Sequence, residues 1–146
     1  KDLFKYKFES MNYWLVKSEP FKYSWDHFVT EGEAVWDGIR NYQARNNLMS
    51  MKTDDLVLFY HSNEGKEIVG LAKVSKEYYP DPTTEEKGWV VVNLVPVAKF
   101  PKTVTLAEIK ADRRLQDMLL IRNSRLSVIP VRLEEFDLIV AFAHEV

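Results

Sequence analysis

An α+β fold, with helices packed around one small and mostly antiparallel sheet or barrel, is what this sequence predicts. Three observations carry that reading. A strand-like apolar run opens the chain, several long ones occupy its middle, and helical patterns lie between and after them. No internal repeat, linker or low-complexity segment interrupts the order. The 146 residues suit a single domain, long enough to withdraw roughly 70% of its unfolded surface from water.

The elements follow in turn. Met11 reads like a natural start, which leaves residues 1–10 as an N-terminal extension and 11–146 as one domain; alternatively Phe4, Tyr6 and Phe8, spaced by two, form an added edge strand. "NYWLVK" (12–17) is β-prone and stops at "SEP", where Pro20 prevents continuation. "SWDHFVTEG" (24–32) predicts a short helix, capped by Ser24 and ended by Gly32, with Trp25, Phe28 and Val29 on one face. "NYQARNNLMSM" (41–51) is helical, with Ala44, Leu48 and Met51 on one side. "DDLVLFYHS" (54–62) is an apolar strand, and "NEG" turns it into "KEIVGLAKVSKEYY". "PDPTTEEKG" (80–88) is a loop rich in proline and charge, and "WVVVNLVPVAKF" (89–100) is a long strand bent or broken at Pro96.

The last third turns helical. Thr105 and Glu108 form a capping box ahead of "LAEIKAD", and "RRLQDMLL" continues the helix after a turn. "SRLSVIPV" (124–131) is a loop and a short strand ended by Pro130. "RLEEFDLIVAFA" (132–143) is an amphipathic terminal helix with a poor N-cap at Val131-Arg132, a deficit of about 1 kcal/mol.

Composition excludes several functions. The net charge is −2 and the pI about 6.0, so any nucleic-acid role must rest on a local basic face rather than on overall charge. With no cysteine, disulfides, thiolate zinc sites and thiol nucleophiles are absent. Three scattered histidines without a His-x-x-x-His pair argue against a metal, and five isolated glycines against a phosphate-binding loop; no cofactor is expected. No apolar run approaches the roughly 20 residues of a membrane span, and no secretory signal is visible. The expectation is a cytoplasmic protein, nuclear in a eukaryote, with no membrane partner.

Candidate site residues cluster in two stretches. Trp36, at a loop edge before "DGIRN", is either a packing anchor or a platform for a flat ligand. His61, in "YHS" at a strand end, either lies at the rim of a site or bonds a backbone carbonyl structurally. Lys17, Ser18 and Glu19 combine an amine, a hydroxyl and a carboxylate that suit proton transfer, or else form a solvated turn. Asn41 and Arg45 share a helix face with four-residue spacing. With Arg40, Arg113, Arg114, Arg122 and Arg125 they make up a possible basic patch, a solvated helix face being the alternative.

"YWLVKSEP" (13–20), "SWDHF" (24–28), "VWDGIRNYQARNNLMSMK" (35–52), "VLFYHSNEGKEIVG" (57–70) and "SRLSVIPV" (124–131), taken in order, resemble the EVE domain of the PUA-like superfamily. The resemblance spans nearly the whole chain from Met11 onward. It implies a five- or six-stranded β-barrel flanked by helices, no established catalysis, and kinship with YTH domains, which hold N6-methyladenine of RNA in an aromatic cage. For EVE domains it implies a modified base in DNA, such as 5-methylcytosine or its oxidised forms.

On that resemblance Trp36 is a cage wall, and Lys17, Ser18 and Glu19 line the pocket floor. Asn41, Tyr60, His61, Ser62 and Ser127 complete the base-binding set, and Arg40, Arg45 and Arg125 hold flanking phosphates. Glu19 stands where YTH domains have asparagine, and a carboxylate accepts from an exocyclic amine, so the base read should differ. Three alternatives remain: a YTH-type reader of modified RNA, a small amidohydrolase resembling the ASCH branch, using Lys17, Ser18 and Glu19 on a modified nucleoside, and an adaptor with a non-nucleic partner. Because adjacent strand residues face opposite ways, the enzyme needs the chain to bend after Lys17.

Overall fold

A computed structural model describes residues 11–146; the proposed strand through Phe4, Tyr6 and Phe8 lies outside the described residues. Six strands form one sheet: β1 (Tyr13–Ser18), β2 (Ala34–Val35), β3 (Leu56–His61), β4 (Glu67–Pro80), β5 (Val90–Thr105) and β6 (Val128–Val131). Their order is β2-β5-β4-β3-β1-β6. The pairing of β1 with β3 is parallel and the others are antiparallel. The parallel pair exists because the chain crosses over between them through two helices, α1 (Trp25–Glu31) and α2 (Tyr42–Ser50).

The expected barrel is corrected to an open sheet. Its two ends are the two-residue β2 and the four-residue β6, which do not pair with each other. Pro130 does not end β6, which runs on to Val131; it sits opposite Trp14 on this edge strand and is exposed, where a missing N–H costs no ladder bond. Pro96 bends β5 without breaking it. The register jumps from Leu71↔Ala98 to Ala72↔Pro96, leaving Val97 as an unpaired extra residue, and the strand continues to Thr105.

Helix ends follow local chemistry. Ser24 accepts the His27 N–H at α1, and Gly32 closes it with φ of 80°. Trp25 and Phe28 are buried, whereas Val29 is exposed, one step off the face assigned to it. The capping box of Thr105 and Glu108 forms at α3 (Leu106–Ala111). The chain then resumes as a 3₁₀ turn (Arg113–Leu115) and α4 (Leu119–Arg122) rather than as one longer helix. At α5 (Leu133–Ala143) the weak cap is offset from within the helix: buried Glu135 accepts from both the Arg132 N–H at 2.9 Å and its guanidinium at 3.0 Å.

One hydrophobic core joins the helices to the sheet. Beneath the N-terminal half lies an aromatic cluster in which Phe28 and Phe59 stack at 5.3 Å, and Trp25 meets both edge-on. Trp25 also lies flat against β4, where an added Cβ at Gly70 would come within 2.7 Å of the indole. A glycine is required there for the helix to reach the sheet. Buried Asp55 accepts from the Trp14 indole N–H, the Lys52 N–H and the Asn12 N–H, tying the start of β1 to the turn before β3.

Candidate functional site

The end of β1 opens into a cleft of about 790 Å³. Two backbone bonds continue the sheet just past its formal strands: Ser62 N–H donates to Ser18 O, and Lys17 N–H to Ser127 O. They bring Lys17, Ser18 and Glu19 together with Ser62 and Ser127 on one floor. The chain does turn after β1, because Lys22 and Tyr23 both donate backbone N–H groups to Glu19 O. Opposite, Trp36 N–H bonds Val92 O at 2.8 Å, which fixes the tryptophan at the sheet edge.

Trp36 therefore answers to both readings. Only 8% of it is exposed and it meets Phe59 edge-on at 5.7 Å, as a packing anchor would, yet it also borders the cleft. Tyr23 stands 6.0 Å from it at 77°, so the two rings form an aromatic corner. The Tyr23 hydroxyl donates to Glu31 at 2.6 Å, and burial, then the Glu31 bond and charge, push its pKa well above the ordinary phenol value. His27 packs on Tyr23 at 4.8 Å and lies 3.8 Å from Glu31.

Tyr23, His27 and Glu31 were not among the sequence candidates. His27 and Glu31 share one face of α1 with four-residue spacing, and Tyr23 stands in the turn just before it, a signal present in the sequence but masked by the stronger apolar stripe. Lys22, Asp37 and Ile39 also border the cleft without having been singled out.

The floor residues are already engaged. Lys17 Nζ donates to Ser124 O at 2.7 Å, and burial lowers its pKa. Ser18 Oγ donates to Tyr23 O at 2.5 Å. Glu19 accepts from the Asn63 amide and pairs with Lys22 at 2.9 Å. No hydrogen bond joins Lys17, Ser18 and Glu19 to one another among the described residues.

The remaining expected members lie elsewhere. Tyr60 is buried and does not border the cleft; burial raises its pKa. His61 is structural, though by accepting rather than donating: its Nε2 receives the Trp25 N–H at 3.1 Å at the head of α1. Burial is the main cause of its lowered pKa, consistent with a neutral acceptor ring. Asn41 caps α2, its Oδ1 accepting from Ala44 N–H at 2.9 Å, and stays outside the cleft lining.

Most of the arginines are engaged, and Arg40 and Arg45 converge on Trp89. Arg114 pairs with Asp112 and Arg122 with Asp117. Arg40 donates to buried Asp81 at 2.9 Å and covers the Trp89 ring at 5.5 Å. Arg45 lies over Tyr42 and Trp89, which stack at 5.0 Å, and bonds Gly88 O. Arg125 is exposed, two positions before Ser127 of the floor, and makes no ion pair among the described residues. Asp81 organises the loop that follows Trp36: burial opposes its ionisation, but bonds from the Thr83 hydroxyl and N–H, Arg40 and the Gly38 N–H outweigh it and hold the pKa at about 2.

A second, smaller cleft of about 500 Å³ lies at the other end of β1 and β6, lined by Tyr13, Trp14, Asn12, Arg132 and Glu134, and holds none of the expected site residues. Among the described residues no three His, Cys, Asp or Glu side chains are placed to hold a metal ion. No helix among them is long and apolar enough to cross a membrane.

Comparison with known proteins matches this arrangement to relatives. The EVE domain family model matches residues 12–142. Thymocyte nuclear protein 1 of Mus musculus is 38% identical over 164 aligned positions, covering 89% of this chain and 73% of the mouse protein. A crystal structure from Agrobacterium tumefaciens superposes with a TM-score of 0.90 at 43% identity, over 91% of this chain and 93% of that one. Human THYN1 protein, solved in complex with 5-methylcytosine-containing DNA, superposes with a TM-score of 0.86 at 32% identity, over 93% and 99%. A YTH domain of Zygosaccharomyces rouxii shares the fold alone, at 17% identity and a TM-score of 0.62. The match runs through every strand and helix described above, and the chain belongs to the EVE domain family.

Proposed function

We propose that this chain is a non-catalytic module that binds DNA through a modified base, modified cytosine above all, taken into the cleft beside Trp36. The observation that carries the reading is the corner made by Trp36 and Tyr23 above a polar floor. A base removed from its stack needs a ring to replace its neighbours, and such stacking contributes about 1–3 kcal/mol. Ser18, Glu19, Ser62 and Ser127 offer acceptors and donors to the base edge, and Glu19 suits an exocyclic amine. Arg125, which makes no ion pair among the described residues and lies two positions before Ser127, suits a flanking phosphate. The complex of human THYN1 protein with 5-methylcytosine-containing DNA supports the same partner here. Such a partner goes with action in the cytoplasm, or in the nucleus of a eukaryotic cell.

The amidohydrolase alternative has less support. Lys17, Ser18 and Glu19 do reach one cleft, but the Ser18 proton is committed to a backbone carbonyl and Lys17 Nζ to another. A nucleophile needs its base within hydrogen-bond reach.

Titration of the chain with duplexes carrying one 5-methylcytosine, hydroxymethylcytosine or carboxylcytosine, and with unmodified and N6-methyladenine controls, tests the proposal. Preference for a modified cytosine that declines in Trp36→Phe supports it. Equal binding to all duplexes, unchanged by the substitution, overturns it.

A further inference from the structure

Phe21 is an anomaly beside the cleft. It sits at the tip of the turn between β1 and α1 with 67% of its surface exposed, next to a site rich in polar groups. An isolated exposed aromatic is ordinary, but this one is held out on a rigid support. Pro20 restricts the backbone before it. The Lys22 and Tyr23 N–H groups both bond Glu19 O, and Ser18 Oγ bonds Tyr23 O. Glu19, Lys22 and Tyr23, the residues on either side, all border the cleft. The Lys22 ammonium lies 5.8 Å from the Phe21 ring and, while pairing with Glu19 at 2.9 Å, is largely exposed, so the tip presents an apolar ring with a cation beside it.

Drawing a base out of duplex DNA leaves a gap in the stack, and each neighbouring pair loses contact on the face towards it. Proteins that deform DNA commonly fill such steps with an apolar side chain. We infer that Phe21 is the residue that enters the duplex where the bound base has left, with Lys22 meeting the adjacent phosphate. This rests on the reading of the cleft as a base pocket and assigns to the rim a separate task. The cleft recognises the base, and Phe21 stabilises the opened duplex. The hydrogen-bonded turn matters because it fixes where the ring is presented, so the backbone beneath it need not be ordered on binding.

The two tasks separate by substrate. The test compares affinity for a duplex bearing one central 5-methylcytosine with affinity for the methylated single strand alone, using the full chain and Phe21→Ala and Phe21→Leu. Among the described residues Phe21 lies outside the hydrophobic core, so its truncation leaves the fold in place, and circular dichroism verifies this. The expected result is a loss of about tenfold or more in duplex affinity for Phe21→Ala, the scale of one lost stacking contact, with single-strand affinity unchanged and Phe21→Leu intermediate. A 2-aminopurine placed beside the methylated base should brighten on binding the native chain and less so with Phe21→Ala. Equal losses on duplex and single strand, or no loss on duplex, overturn the inference. Trp36→Phe on the single strand reports the pocket independently: loss of the preference for methylated cytosine there belongs to the cleft, whatever Phe21 does.

Discussion

Tyr23 and Trp36 stand 6.0 Å apart with their rings at 77°, although one belongs to a turn before α1 and the other to the edge of β2. Each is held from behind, Trp36 by its backbone bond to Val92 and Tyr23 by its hydroxyl bond to Glu31. A flat ligand placed against Trp36 would meet the Tyr23 ring as a side wall. Tyr23→Ala is therefore expected to weaken binding of modified DNA by about fivefold or more, within the range of one aromatic contact. Tyr23→Phe should retain most of that affinity and lose about 0.5–1.5 kcal/mol of stability through the missing hydrogen bond. Fluorescence anisotropy and urea melts measure the two effects.

Asp81 predicts an acid limit. Its folded pKa of about 2 lies below the ordinary 3.8. The unfolded chain thus takes up the proton first as the solution is acidified. The stability it contributes is fully present above pH 4 and is lost as pH falls through the folded value; the difference corresponds to about 2 kcal/mol. Asp81→Asn should flatten this part of the stability–pH curve between pH 4 and 2 and loosen the Gly38–Arg40 loop behind Trp36. Denaturant melts across that range decide it, and an identical slope in both proteins would contradict the assignment.

His61 predicts a second, milder dependence. Burial lowers its pKa, and its Nε2 must stay unprotonated to accept the Trp25 N–H. The unfolded histidine protonates near 6.5, before the folded one, so this contribution is complete above about pH 6.5 and declines as pH falls below it. His61→Ala should remove the decline and lower stability at pH 8 by about 0.5–2 kcal/mol, the scale of a lost helix cap. NMR titration of the imidazole gives the folded pKa directly.

Gly70→Ala tests the packing that carries α1. The new methyl would sit 2.7 Å from the Trp25 indole, so helix or strand must shift, at a cost of about 1–3 kcal/mol. A lowered melting temperature with weaker DNA binding is expected, because Tyr23, His27 and Glu31 follow α1. Wild-type stability in this variant would show that the contact yields freely.

Much of this protein was legible before folding. The α+β class, the Ser24 and Gly32 ends of α1, the box at Thr105 and Glu108, and the bend at Pro96 all arise from interactions within a few residues, which local sequence specifies. Lys17, Ser18 and Glu19 could likewise be picked out as the polar end of an apolar strand. Tyr60 and His61 mark the limit of local reading for a physical reason: a polar tip on a strand end looks the same whether it faces a cleft or caps a distant helix. Only the position of Trp25, 36 residues away, makes His61 a cap.

Sequence alone thus determined most of the strands and helices, though not the two-residue β2 or the break before α4. The tertiary structure decided the rest. It left the sheet open at β2 and β6, committed Arg40 to distant Asp81, and turned Tyr23 to face Trp36. Those outcomes depend on which surfaces the long crossover between β1 and β3 brings together, and contacts made across such distances leave no periodic trace in the residues that make them.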